Sequence, residues 1–383
     1  MSHQQLDRPH IVFLFSDTGG GHRSAAQAII EALELEFPGQ TTQEMIDIFR
    51  QYAPPPLQYA PEIYPPLSRM PRVWGMGYHI SDGSRRTQIF YRMIWPYIRW
   101  GLQRLVREHP CDLIVSVHQL INAPMIRAIR NAGYTIPFTT VVTDLVSTHA
   151  AWYSNNADLI IVPTTAAYRR ALNLNIAPEK MTVVGLPVAD RFCQPVGDSS
   201  AIRARLGWPQ DKPVVLLVGG GEGMGPMEPT AKALDAARLP IHLVIVAGRN
   251  KKLKERLEKR RWQIPVSIYG FVEEMPDFMR AADILVTKAG PGTICEAFIA
   301  GLPLILYSRL PGQEDGNVDY VVDNGAGVWA PRPDAVVSAV RCWLEYPDQR
   351  QEAANAALQL ARPRAAREIA RLLAAQAGIR LEN

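Results

Sequence analysis

Apolar and polar positions recur along this chain as one unit: a short apolar run, a turn rich in glycine or serine, then apolar residues at helical spacing. Residues 10–15 form the first run, with I-V-F-L-F at its core. Ser16-Asp17-Thr18-Gly19-Gly20-Gly21-His22 follows as a polar turn. Ala25, Ala26, Ile29, Ile30 and Leu33 then fall at helical spacing, and Pro38-Gly39 stops that helix. Further strands are expected at 45–49, 112–117, 137–143, 157–162 and 181–184. Residues 193–200 read as a linker. The pattern then restarts: 213–218 runs into Gly219-Gly220-Gly221-Glu222-Gly223-Met224-Gly225-Pro226, with later strands at 241–246, 266–269, 284–286, 302–305 and 327–329. Strands alternating with helices imply parallel sheets. Two halves of similar length imply an α/β protein of two Rossmann-like domains facing across a cleft. The expected domains are 1–195 and 196–352, followed by a helical stretch over 353–383, broken at Pro363, for which a return to the first domain is one arrangement.

The region from about 50 to 107 departs from this pattern. Its prolines at 54, 55, 56, 61, 65, 66 and 71 are expected to forbid regular structure. Between 68 and 107 stand eight arginines (69, 72, 85, 86, 92, 99, 104 and 107) against one acid, Asp82. Trp74, Tyr78, Phe90, Tyr91, Trp95, Tyr97 and Trp100 are interleaved with them, and 89–106 has helical periodicity. Arginine with tryptophan and tyrosine suits the edge of an anionic bilayer, where each basic group contributes about 1 kcal/mol. The plainer alternative is an ordinary amphipathic helix beside a proline-rich insertion.

Composition narrows the class. A chain of 383 residues has room for two full cores, and 47% apolar with 20% charged residues is ordinary for a globular protein. No apolar run approaches the roughly 18–20 residues that span a bilayer. Met1-Ser2-His3-Gln4-Gln5 lacks a basic region leading into an apolar one, so no signal peptide is expected. Cys111, Cys193, Cys295 and Cys342 are scattered, which points to reduced thiols and not to a disulfide frame or zinc site. A formal charge of +4 is too mild for a nucleic-acid partner.

The candidate chemistry centres on Thr287 to Glu296, T-K-A-G-P-G-T-I-C-E, where a short apolar run turns into a helix. Gly290, Pro291 and Gly292 leave Thr293 and the free N–H groups of the first helical turn to face an anion. Glu296 lies one turn further in, placed for a sugar hydroxyl. A nucleoside diphosphate is the economical ligand; a glycine turn serving packing alone is the other reading. No D-x-D occurs, so no metal is expected at the diphosphate, and Lys288 with the helix dipole can take that role. In the first half, Gly20 and Gly21 let a ligand approach the backbone. His22 stands at a helix start, which disfavours imidazolium and leaves a neutral base; a histidine that merely caps the helix is the alternative. His118 and Asp144 follow strands, where an open α/β sheet places its ligand crevice. Asp144 leads into Ser147, Thr148, His149 and Trp152, a group suited to a lining. Either residue alone also fits capping or packing.

The run G-G-G-H-R-S-A-A, the G-G-G-E-G-M-G-P turn, T-K-A-G-P-G-T-I-x-E, and Pro311-Gly312-Gln313-Glu314-Asp315-Gly316-Asn317 together resemble the monogalactosyldiacylglycerol synthases, relatives of the MurG-like glycosyltransferases of the GT-B fold. V-T-D-L at 142–145 and S-V-H at 116–118 fit as well. The motifs span 16–317, most of the chain, and are specific as a set. The proline-rich stretch before Met70 does not align.

The resemblance implies inverting transfer of galactose from UDP-galactose to the sn-3 hydroxyl of 1,2-diacylglycerol, with no cofactor, at the cytoplasmic face of an anionic membrane as a peripheral protein. It implies His22 as the base on the acceptor hydroxyl, a role the residue itself also suggests, because inversion needs a base near the acceptor oxygen and charge stabilisation at the leaving diphosphate. It implies ribose contact for Glu296, donor-sugar contact for Gln313 and Glu314, with Glu314 in the catalytic set, and a uracil-holding segment at Phe271-Val272. Gly220, Gly221, Lys288 and Asn317 join the donor side, and His118, Asp144 and Trp152 the acceptor side. Glucosyl transfer to diacylglycerol, N-acetylglucosaminyl transfer to a polyprenyl-linked acceptor, and UDP-sugar 2-epimerisation remain alternatives, as does a non-enzymatic binding protein.

Overall fold

The computed structural model describes residues 8–379 apart from Gly19, Arg69 and Val196. The readings made on Met1 to Gln5, on Gly19, on Arg69, on Val196 within the linker and on the last four residues therefore lie outside the described residues. Two compact units are present. One comprises Met1–Asp190, Pro311–Gln313 and Arg364–Asn383; the other comprises Arg191–Leu310 and Glu314–Pro363.

The first unit is built on β1 (His10–Phe15), β2 (Thr42–Asp47), β3 (Leu113–Ser116), β4 (Phe138–Val141), β5 (Leu159–Val162) and β6 (Met181–Val183). All are parallel, in the order β2-β1-β3-β4-β5-β6. Helices cover both faces, so the strands read as unbroken apolar runs; Ile11, Val12, Phe13 and Leu14 are fully buried. The helix after β1, α1 (Gly21–Glu36), packs Ile29 and Leu33 against Ile369, Ala370 and Leu373 of the helix Ala365–Gln376.

The strand expected at 45–49 ends earlier than its apolar residues suggested. The Asp47 carboxylate accepts from the backbone N–H groups of Phe49 and Arg50, both at 3.2 Å, and so caps α2 (Ile48–Tyr52). The expectation that proline forbids regular structure also fails beyond Pro56. Helices α3 (Ala60–Ser68), α4 (Pro71–Ser81) and α5 (Ser84–Glu108) fill this region. Pro61 lies in the first turn of α3 and Pro71 opens α4, positions whose N–H groups have no helical partner to lose. Pro96 sits inside α5, which is anchored by buried Trp95, Ile98, Leu102, Leu105 and Val106.

The second unit carries β7 (Val214–Val218), β8 (His242–Val246), β9 (Val266–Tyr269), β10 (Ile284–Lys288), β11 (Leu304–Ser308) and β12 (Gly327–Trp329). These too are parallel, in the order β12-β11-β10-β7-β8-β9. Each sheet has one place where the chain's progression reverses, between β1 and β3 in the first and between β7 and β10 in the second. At such a switch point, the crossovers leave in opposite directions and open a crevice at the carboxyl ends of the strands.

Candidate active site

In the first unit the switch point brings together the exits of β1, β3 and β4. The turn after β1 is clamped by Arg23, which donates from Nε and Nη2 to the two Asp17 oxygens at 2.6 Å each and lies over the Phe15 ring. Gly20 caps α1 with φ of 80°, a left-handed conformation that glycine adopts without strain, and His22 is the second helical residue. Its ring centroid is 4.7 Å from that of His118, which follows β3, and 6.1 Å from that of Trp152. Nδ1 of His22 is 2.9 Å from Oγ1 of Thr143, just beyond β4. Burial pushes the imidazole down to about 4, opposed by the backbone carbonyl of Val117. Burial thus acts in the direction expected of the helix start, towards the neutral form. His118 is lowered well below its ordinary value by burial and then by its histidine neighbour. His118 Nδ1 accepts from the Leu120 N–H at 3.4 Å, and Nε2 stands 3.4 Å from Thr18 Oγ1.

Asp144 and Trp152 are buried and form the wall behind these rings. The indole N–H of Trp152 donates to Asp144 Oδ2 at 2.7 Å, and the Gln313 amide donates to Asp144 Oδ1 at 2.9 Å. Gln313 belongs to the first unit and Glu314 to the second.

In the second unit the exits of all six strands share one edge, and the switch point sets the β7 turn beside the β10 turn. The helix Pro291–Ala300 starts at Gly290, with Pro291 as its first residue. A Cβ on Gly290 would come within 2.8 Å of Lys288 Nζ, whereas one on Gly292 would meet nothing within 4 Å. Gly290 therefore makes room for the ammonium, and the space beside Gly292 is open. Lys288 Nζ is 2.5 Å from Glu314 Oε1, Glu314 Oε2 accepts from the Leu310 N–H at 2.8 Å, and Glu314 is buried. The Asn317 amide donates to the Ala289 carbonyl at 2.9 Å, tying this loop to the β10 turn. One turn into the glycine-started helix, burial pushes the Glu296 carboxyl up to about 7, opposed by Arg191.

Phe271, exposed after β9, has the guanidinium of Arg249 4.3 Å above its ring; Val272 beside it is half-buried. Arg249 also pairs with Glu222 at 3.1 Å. The β7 turn has packing reasons for its glycines: Gly223, with φ of 58°, lies against the Ala247 carbonyl, where no side chain fits. Gly220 and Gly221 border Lys288 and Arg249 respectively. Thr143 and Arg249 escaped the sequence reading. Thr143 had the signal of a strand-end polar residue beside Asp144, and Arg249 had none. Among the described residues no three His, Cys, Asp or Glu side chains converge as a metal site.

The second half carries a recognisable signature: residues 214–369 match the family described as glycosyltransferase family 28 C-terminal domain. Among solved structures, Staphylococcus aureus MnaA in complex with UDP is 17% identical, with a TM-score of 0.65 over 98% of each chain. MurG of Acinetobacter baumannii is 17% identical, with a TM-score of 0.58 over 95% of this chain and 98% of that one. These likenesses give the fold, and with the family match they define a GT-B glycosyltransferase of family 28. Residues 22–188 match the monogalactosyldiacylglycerol (MGDG) synthase family. A probable chloroplastic monogalactosyldiacylglycerol synthase of Nicotiana tabacum is 38% identical over 363 residues, 92% of this chain and 68% of that one. Monogalactosyldiacylglycerol synthase 1 of Arabidopsis thaliana is 37% identical over 94% of this chain and 70% of that one. The chain belongs to the monogalactosyldiacylglycerol synthase family.

Proposed function

We infer that the chain transfers galactose from UDP-galactose to the sn-3 hydroxyl of 1,2-diacylglycerol, inverting the configuration at the sugar carbon. The observation that carries this reading is the 38% identity to a probable monogalactosyldiacylglycerol synthase over 92% of the chain. His22 is the base. Its neutral imidazole takes the proton from the acceptor hydroxyl as that oxygen attacks the anomeric carbon. The bond from carbon to diphosphate breaks, and the charge left on UDP is met by the free N–H groups after Gly290, the helix dipole and Lys288. Glu296 holds the ribose, Phe271 and Val272 hold the uracil, Gln313 and Glu314 border the sugar, and Asp144 and Trp152 shape the acceptor side.

Docking to a membrane surface is part of the same proposal. Ile89, Phe90, Met93, Tyr97 and Trp100 are all exposed, Met93 to 75%, and they form one stripe of α5 opposite its buried residues. Met76 and Ile80 of α4 are exposed as well, and Arg72, Arg85, Arg86, Arg92 and Arg99 are exposed on the same two helices. An outward apolar stripe together with exposed arginines is the arrangement of a helix that lies in a bilayer interface. Among the described residues no helix is long and apolar enough to cross a membrane. The test is transfer from UDP-galactose, UDP-glucose and UDP-N-acetylglucosamine, offered separately with diacylglycerol vesicles. The expected result is a galactolipid as the dominant product; preferential transfer of either other sugar would overturn the assignment.

A further inference from the structure

The ring of His22 is held by Thr143 and by the backbone carbonyl of Val117. Nδ1 lies 2.9 Å from Thr143 Oγ1, and the Thr143 hydroxyl is 3.4 Å from the carbonyl of Val117, to which it donates. A carbonyl can only accept, so the hydroxyl proton is committed to Val117 and the oxygen's lone pair is turned to His22. The hydrogen on the imidazole is then on Nδ1, and Nε2 is left with its lone pair. Both partners are fixed by the sheet. The Val117 N–H donates to the Leu14 carbonyl at 3.0 Å, and the Val142 N–H donates to the Ile161 carbonyl at 2.9 Å, so the residues on either side of the crevice are anchored to neighbouring strands.

We propose that Thr143 is a positioning residue of the transfer reaction: it fixes the His22 ring in the Nδ1–H tautomer and thereby presents Nε2 to the acceptor hydroxyl. The inference rests on His22 being the base. It adds a partner that the residue's place at a helix start does not supply. A histidine with its hydrogen on Nε2 would point a donor, not an acceptor, at the acceptor oxygen and could not take its proton. Thr143 also explains why a hydroxyl, and not an apolar side chain, sits at this nearly buried strand end, since the hydroxyl bonds in both directions there.

The test compares Thr143→Val, which keeps the shape and removes the hydroxyl, with Thr143→Ser, which restores it, and with His22→Ala. Two quantities are read: turnover with UDP-galactose and diacylglycerol vesicles, and the tautomer of His22 from nitrogen-15 chemical shifts of histidine-labelled protein. Thr143→Val should lower kcat by at least about 10-fold, with His22→Ala, at roughly 10²–10⁴-fold, as the floor. UDP affinity should hold, and the His22 nitrogens should shift away from the pure Nδ1–H pattern. Thr143→Ser should recover both the rate and the pattern. An unchanged His22 tautomer and normal turnover in Thr143→Val would overturn the role of Thr143 alone. Normal turnover in His22→Ala would instead overturn the base assignment, and the catalytic part of this proposal with it.

Discussion

The ammonium of Lys288 lies 2.5 Å from Oε1 of Glu314, whose other oxygen accepts from the Leu310 N–H. The carboxylate thereby holds the lysine over the start of the glycine-opened helix, and its two oxygens are engaged within the fold. Removing one partner of such a buried pair leaves the other charge uncompensated, at a cost of about 3–5 kcal/mol. Glu314→Ala should therefore lower the melting temperature. The Lys288→Ala, Glu314→Ala double variant should recover part of the loss. If Glu314 also borders the sugar, Glu314→Ala will lose transfer far more than it loses UDP affinity. Equal losses of both would assign it to the nucleotide and the fold.

Glu296 gives a prediction with a defined sign. Its carboxyl is raised to about 7 by burial, against the pull of Arg191. The unfolded chain releases that proton at the ordinary carboxylate value, so this residue costs stability as pH rises from there through about 7. Glu296→Gln should accordingly stabilise the protein at pH ~8 and have little effect at pH ~4. A ribose diol donates to a carboxylate and favours its charged form. UDP binding near neutrality should therefore release a proton from Glu296. Calorimetry in two buffers of different ionisation enthalpy reads that proton; the same release in Glu296→Gln would place the ribose elsewhere.

For His22 the sign is opposite. A base must be unprotonated to act, and burial lowers this imidazole to about 4. In the Glu296→Gln variant, which removes the titration at about 7 from the donor site, kcat/KM should hold its value well below the ordinary histidine range and fall only as pH drops through about 4. A profile that falls through the ordinary histidine value of ~6.5 would contradict a desolvated base.

Membrane docking separates into two contributions. Arg85→Glu with Arg86→Glu should reduce sedimentation with anionic vesicles. The wild-type binding should weaken as salt rises, because exposed charges are screened within roughly 8–10 Å at physiological ionic strength. Met93→Asp with Trp100→Asp should reduce binding to neutral vesicles too, since it removes the apolar stripe of α5. Binding to anionic vesicles unaffected by either pair would place the docking surface elsewhere.

The inner strands of both sheets were legible because they bury both faces and therefore read as continuous apolar runs, as β7 does; β9 and β12 are edge strands, less deeply buried, yet 266–269 and 327–329 coincide with them. The end of β2 was not, because Ile48 and Phe49 continue the apolar run and only the side chain of Asp47 turns the chain into a helix. The proline-rich segment misled at Pro61 and Pro71 because proline at a helix start loses no hydrogen bond, whereas Pro65 and Pro66 lie inside α3 and Pro96 inside α5, where that reason does not apply. Gly290 stands at a helix start as its place in the sequence suggested, but what its missing Cβ leaves room for is the Lys288 ammonium, whereas the open space lies beside Gly292. The glycines at 219–225 show the limit of such motifs, because Gly223 is demanded by the Ala247 carbonyl whatever the ligand. The pairing of His22 with Thr143 joins residues 121 positions apart. It follows from strand order, which a single sequence implies only loosely.

The central claim is an inverting transfer of galactose to diacylglycerol. The most direct measurement is the anomeric configuration of the lipid formed from UDP-galactose labelled with carbon-13 at the anomeric carbon, read by NMR on the isolated product. Direct displacement with His22 as base predicts a β-galactoside, with the large proton coupling of a trans-diaxial arrangement, and its near disappearance in His22→Ala. An α-linked galactolipid, or a sugar nucleotide altered at its second carbon with no lipid product, would contradict it.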